Sequence, residues 1–389
     1  MPGGARIAKG VGIAIGVVAL TAAVAATVTA AIGVRFARKV VTPPLEREED
    51  VRILGVDRPR NEILLAPSDE ARMAGRYGFW FDRDAGYARL GDVLDEGPRG
   101  VRRVIESIDF GRLERAQRGR MSGWYHLGPW ELGIPYENVA IQTPVGPAPA
   151  WHVPAEEPGG DWVIQVHGWG ARRPEGLRAV APARAQGWDT LLISYRNDGE
   201  APASGDGRFG LGSTEWRDVE AAVAYAKERG ARRIVLMGWS MGGGTVLQAM
   251  LRSPSVAEAV CGLILESPAV DWADILRFQG TLYRLPAEFA VVVSRVLRDR
   301  LGSGLAGLAE PIDLAELDAA DRADELAVPM LLLHSVDDGF VPIDGSRRLA
   351  EARPDLVQFE IFEGARHTKL WNEDPERWSA LIADWLAAR

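Results

Sequence analysis

The chain has 389 residues, room for one large domain or two ordinary ones, and its 47% hydrophobic residues suffice for a real core. The formal net charge is −9; five basic residues and no acid lie in the first 39 positions, so the remaining body carries 40 basic against 54 acidic residues. An acidic body without a basic stripe excludes nucleic-acid binding by phosphate neutralisation, and a single cysteine, Cys261, excludes an intrachain disulfide.

The N-terminus differs from the rest. From Val11 to Val34 no residue is charged. A helix of that length crosses a hydrocarbon core about 30 Å thick, and the run exceeds the ~7–15 apolar residues of a secretory signal. Residues 1–41 are therefore expected to form an N-terminal transmembrane anchor, retained and single-pass, with the membrane as partner. Arg6 and Lys9 precede the span while Arg35, Arg38 and Lys39 follow it, so charge does not assign the side of the body.

Residues 42–136 are read as a linker and a small β-rich N-terminal module. The prolines of TPPLEREED block regular structure. After it, short β-prone pieces, Ile63–Leu65, Tyr77–Phe81, Tyr87–Leu90 and Val101–Ile108, alternate with glycines and prolines.

Residues 137–389 read as one α/β domain. VAIQTPVGPAPAWHV predicts a hairpin, and WVIQVH (162–167) opens a series of apolar strands: 190–196, 232–238, 262–267, 328–335 and 357–364. Helical patterns lie between them. In one, Val219, Ala222, Val223 and Ala226 share a face, with Ser213 as the expected cap. Apolar strands alternating with amphipathic helices predict a mostly parallel central sheet flanked by helices. The interval 268–327 is too long for an ordinary connection and is read as a helical cap insertion.

The chemistry centres on GWSMG, Gly238 to Gly242, which fits G-x-S-x-G between an apolar strand and a helix. A sharp strand-to-helix turn lifts Ser240 into a strained conformation, and side chains at 238 and 242 would collide. Gly243 and Gly244 are expected to let the following helix pack closely. Ser240 then needs a base and an orienting acid.

Of five histidines, His367 follows the last strand at a C-terminal strand edge, where open α/β sheets place their sites. It is the expected base. His126 and His152 read as surface or packing residues, His334 as a buried structural histidine, and His167 as a brace for the turn HGWG. The acid falls on Asp337 or Asp338 in LLLHSVDDGFVP, with Glu266 a further candidate. Backbone N–H donors for an oxyanion are expected from Met241 and from Trp169 in the turn His167-Gly168-Trp169-Gly170.

Together these residues resemble the α/β-hydrolase superfamily. The order Ser240, Asp338, His367 is that superfamily's nucleophile–acid–histidine order, and LHSVDDGFVP is similar to its H-G-x-x-D-x-x-V-P stretch, which aligns the acid with Asp338. HGWG looks like its oxyanion loop. Ser335, Ala365 and Arg366 depart from the commonest forms. A β-rich module ahead of the hydrolase domain is reminiscent of prolyl-oligopeptidase-like members, though no propeller-length repeat is present.

The resemblance implies a serine hydrolase without metal or organic cofactor, acting on a small-molecule ester or a short peptide. A silent fold serving as a tethered binding module is the reading from another class. The loop SYRNDGEAPASGDGRFG supplies candidate pocket residues, Arg196, Asp198, Ser204, Asp206 and Arg208.

Overall fold

The computed structural model describes residues 29–44, 47–157, 159–286 and 288–389. Most of the expected anchor, Val11 to residue 28, lies outside the described residues. Among the described residues no helix is long and apolar enough to cross a membrane.

The described end of that segment corrects the expected span. Residues 29–41 are helical, and Ala37 and Val41 are fully buried against the body. Gly33 lies on the same stripe, four residues before Ala37. A methyl group there would come within 2.6 Å of a Val292 methyl. Spacing of four places all three residues on one helix face. From Gly33 onward, the helix therefore packs on protein, and a bilayer span ending at Val34 does not fit.

The N-terminal module is a closed antiparallel barrel. Its strands are β1 (Val51–Asp57), β2 (Glu62–Leu65), β3 (Tyr77–Phe81), β4 (Gly86–Gly97), β5 (Gly100–Phe110) and β6 (Arg118–Ser122), in the order β1-β2-β5-β4-β3-β6. β6 pairs back onto β1, so no edge is left open. Ile63, Leu65, Phe79, Phe81 and Leu90 fill the interior. Arg103 is buried beside them, and its guanidinium donates to the carbonyls of Ala71, Met73, Gly75 and Gly91.

The second unit is an eight-stranded sheet. It contains β7 (Glu137–Thr143), β8 (Gly146–Val153), β9 (Asp161–Val166), β10 (Asp189–Ile193), β11 (Arg233–Trp239), β12 (Val260–Glu266), β13 (Met330–Ser335) and β14 (Val357–Phe362). The order is β14-β13-β12-β11-β9-β10-β8-β7. From β14 to β10 all pairs are parallel, and β8 and β7 add as an antiparallel hairpin. The chain starts the parallel part at β9, steps to β10 on one side, and then builds outward from β11 on the other. Such a reversal opens a crevice at the carboxyl ends of the two strands. Gly238 of β11 lies opposite Val166 of β9, so GWSMG and HGWG leave neighbouring strands side by side.

Between β12 and β13 lie the helices Trp272–Leu282, Glu288–Arg298 and Arg300–Ala306. Asp271 and Asp299 cap the first and third by accepting backbone N–H bonds. Ser213 is not a helix cap. The helix it was expected to start runs from Trp216 to Glu228, and the Ser213 hydroxyl donates to the Gly210 carbonyl. The buried Glu215 carboxylate takes the N–H groups of Gly210 and Gly212 instead, which pins the preceding loop and delays the helix.

Candidate active site

Ser240 sits between β11 and the helix Met241–Arg252 with φ 50° and ψ −119°. That backbone conformation is rare for a residue with a side chain and persists only where the surroundings enforce it. The glycines explain how. A Cβ at position 238 would lie 2.6 Å from the Gly242 carbonyl carbon, and one at 242 would collide with the Val166 oxygen. Gly243 and Gly244 face Pro268 and Ala269, so their small size accommodates the loop after β12.

The Ser240 Oγ lies 2.8 Å from His367 Nε2, and His367 Nδ1 lies 2.7 Å from Asp338 Oδ2. The three side chains thus form one hydrogen-bonded line. Asp337 points elsewhere: its carboxylate accepts the Gly364 N–H. Glu266 is fully buried but accepts from the indoles of Trp239 and Trp378, each at 2.9 Å, and from the Leu370 N–H; it does not meet His367. Burial raises its pKa above the usual carboxylate value.

Burial would also raise Asp338, but the adjacent His367 charge and hydrogen bonds from His334 and His367 outweigh it and hold the carboxyl well below the usual range. Its Oδ1 accepts the N–H groups of Phe340 and Val341. His334, buried as expected, lies 3.3 Å from Asp338 Oδ2 and bonds Ser346 and the Val341 carbonyl.

The glycine turn is braced from both sides. His167 reaches the Gly168 carbonyl with Nδ1 and Asp198 with Nε2, each at 3.1 Å, and stacks on Tyr195. Glu175 accepts the Gly168 N–H at 2.7 Å. The Trp169 indole donates to the Val40 carbonyl. A cavity of about 150 Å³ opens on Ser240, lined by Gly168, Trp169, Glu175, Phe340, His367 and Thr368.

Three supporting residues escaped the sequence reading. Glu175 is a buried acid in the turn's own extension, RRPEG. Arg178, 3% exposed, donates to the Glu175 carbonyl, the Thr368 carbonyl and the Asn372 side chain, tying the glycine turn to the histidine loop. Asn372 donates to the carbonyls of Arg76 and Gly123 in the barrel unit. No local signal marked Glu175 or Asn372, which stand among charged neighbours, Arg172 and Arg173 before the one and Glu373 and Asp374 after the other.

Other candidates lie apart. His152 is buried, stacked on Trp162 and bonded to Asp189; His126 is half-buried beside Glu131. Arg196 is committed to a two-pronged pair with Asp218. Ser204, Asp206 and Arg208 line a separate cavity of about 520 Å³, whose lining does not include Ser240.

Comparison with known proteins follows the same division. Residues 52–122, the barrel, match a family described only as a domain of unknown function. Residues 163–381, more than half of the chain, match the model of the alpha/beta hydrolase family. The chain belongs to the alpha/beta hydrolase family. It is an enzyme of the serine-hydrolase type.

An uncharacterized protein of Bacillus subtilis is 23% identical over 203 residues, 51% of this chain and 62% of that protein, so the match spans less than two thirds of its length. A pimeloyl-[acyl-carrier protein] methyl ester esterase of Vibrio atlanticus is 24% identical over 60% of this chain and 96% of its own. Among solved structures, an esterase of Pyrococcus furiosus superposes with a TM-score of 0.52 at 19% identity, over 68% of this chain and 94% of its own. That likeness places the alpha/beta hydrolase fold on this chain.

Proposed function

We propose that this protein is a serine esterase that cleaves carboxylic esters through an acyl-enzyme. The observation that carries the proposal is the hydrogen-bonded line Ser240–His367–Asp338 beneath a cavity open at the serine. Ser240 Oγ attacks the ester carbon as its proton passes to His367 Nε2. Asp338 holds the imidazole through Nδ1 and balances its charge. The amides of Trp169 and Met241 receive the oxyanion. When the tetrahedral adduct collapses, the C–O bond to the alcohol breaks and His367 gives the alkoxide its proton. Water, deprotonated by His367, then attacks the acyl-enzyme; the acid leaves and Ser240 regains its proton.

Ester rather than peptide cleavage is supported by the Vibrio and Neisseria meningitidis relatives, both pimeloyl-[acyl-carrier protein] methyl ester esterases. The test is labelling by a fluorophosphonate probe together with turnover of p-nitrophenyl esters and aminoacyl p-nitroanilides. Labelling lost in Ser240→Ala and turnover confined to esters is expected. Absent labelling of the folded wild type sinks the serine mechanism, and turnover of anilides alone sinks the esterase assignment.

A membrane anchor is part of the same proposal. Its support is the uncharged stretch from Val11, now taken to end before Gly33 because that residue packs on Val292. Retention of the full chain in the pellet after alkaline carbonate extraction is expected; quantitative release argues against an anchor.

A further inference from the structure

A second cavity, of about 560 Å³, runs beneath the helix of residues 29–41. Its walls include Phe36 and Val40 of that helix, and Trp272, Ile275, Leu276 and Tyr283 of the cap. It shares Trp169 and Phe340 with the cavity over Ser240, so the two adjoin at these rings. The surface is mostly carbon. The cations on its rim are turned onto aromatic faces, Lys39 at 5.4 Å from the Tyr283 ring and Arg47 at 4.9 Å from Trp124.

The helix wall is fixed in place. Phe36 packs edge-on against Tyr283 and Phe289, with ring centres 5.9 and 5.0 Å apart. The Val40 carbonyl accepts from Trp169, and the Val41 carbonyl accepts the Phe209 N–H. None of residues 36–44 falls within the stretch that matches the alpha/beta hydrolase family, which begins at 163. This wall lies outside the matched stretch.

We propose that this groove is the acyl-chain site, walled by the N-terminal helix, and that the substrates are medium- to long-chain acyl esters. The inference rests on the esterase reading above. With its carbonyl at Ser240, an acyl ester threads its chain between Trp169 and Phe340 into the groove. A long unbranched chain buries its methylenes there, whereas an acetyl group stops short of it, so the groove rewards chain length.

The test is the chain-length profile of the full-length protein in mild detergent, from p-nitrophenyl acetate to the dodecanoate, for wild type, Val40→Trp and Gln279→Trp. Val40 and Gln279 both line the groove and are only partly buried; Gln279 also donates to the Phe340 carbonyl, so acetate turnover of each variant serves as the reference for any general loss. In wild type, kcat/KM for the best longer ester is expected to exceed that for acetate by about tenfold or more. Each variant is expected to lower that ratio about tenfold. If Val40→Trp does not fold, as judged by circular dichroism, Gln279→Trp carries the test alone.

A flat wild-type profile, expected if a segment of this chain or another protein fills the groove, overturns the acyl site. So does a ratio unchanged in a folded variant. Either result leaves acetate turnover intact, whereas failure of the esterase reading abolishes turnover of every ester, acetate included.

Discussion

The indole Nε1 of Trp169 donates to the Val40 carbonyl at 2.9 Å across 129 residues of sequence. A residue of the glycine turn beside Ser240 is thus fastened to the helix that precedes the barrel. Trp169→Phe keeps an aromatic ring but deletes the donor together with the five-membered ring that carries it. It is expected to cost about 1 kcal/mol of stability and to lower kcat/KM for longer esters more than for acetate. Urea unfolding and ester kinetics on one preparation check both parts; equal losses on all esters would count against the fastening as a substrate-side device.

The conformation of Ser240 sets activity against stability. Ser240→Gly removes the side chain at φ 50° and is expected to stabilise the fold by about 1 kcal/mol while abolishing turnover. Gly242→Ala should destabilise the fold instead, by about 3 kcal/mol, because its methyl meets the Val166 oxygen. Thermal unfolding of the pair checks the signs.

Asp338 links the site to pH. Its carboxyl is held below the usual range in the folded protein, so the unfolded chain binds its proton first as pH falls. The stabilisation is complete above the unfolded value of about 4 and is lost below it, as pH drops towards the folded pKa. Wild type should therefore lose stability between pH 5 and 2 (roughly the window set by these values) more steeply than Asp338→Asn. At neutral pH the same variant should lower kcat on the order of 10³–10⁴-fold. Denaturant titrations at stepped pH and steady-state rates test the two statements separately.

Glu266 behaves oppositely. Burial raises its folded pKa, so its contribution weakens as pH rises from about 4 through the folded value. Glu266→Gln should flatten that dependence and retain the fold. Glu266→Leu leaves the Trp239 and Trp378 N–H groups without their acceptor and should cost about 3 kcal/mol or more. Urea midpoints at pH 5 and 8 distinguish the three proteins.

The elbow was legible because its signals are local: an apolar strand, two obligatory glycines and a helix occupy thirteen consecutive residues. The sheet was legible for the same reason, strand by strand. Closure of the barrel was not, since β6 meets β1 across some seventy residues and no local pattern records the pairing. The helix of residues 29–41 misled because small apolar residues suit lipid and protein alike; only the partner, Val292, tells them apart. Spacing left Asp337 and Asp338 equal. The turn after Ser335 separates them by sending one carboxylate to Gly364 and the other to His367.

Asn372 gives the barrel a stake in the reaction. Five residues after His367, its side chain grips two barrel-side carbonyls while Arg178 grips it in turn. Its own carbonyl receives the Arg76 N–H, at a point where Gly75 leaves no room for a methyl. A truncated enzyme beginning at residue 137 would lose those anchors and leave the histidine loop held from one side only. Removal of the barrel is therefore expected to lower turnover, although no barrel residue lines the cavity over Ser240.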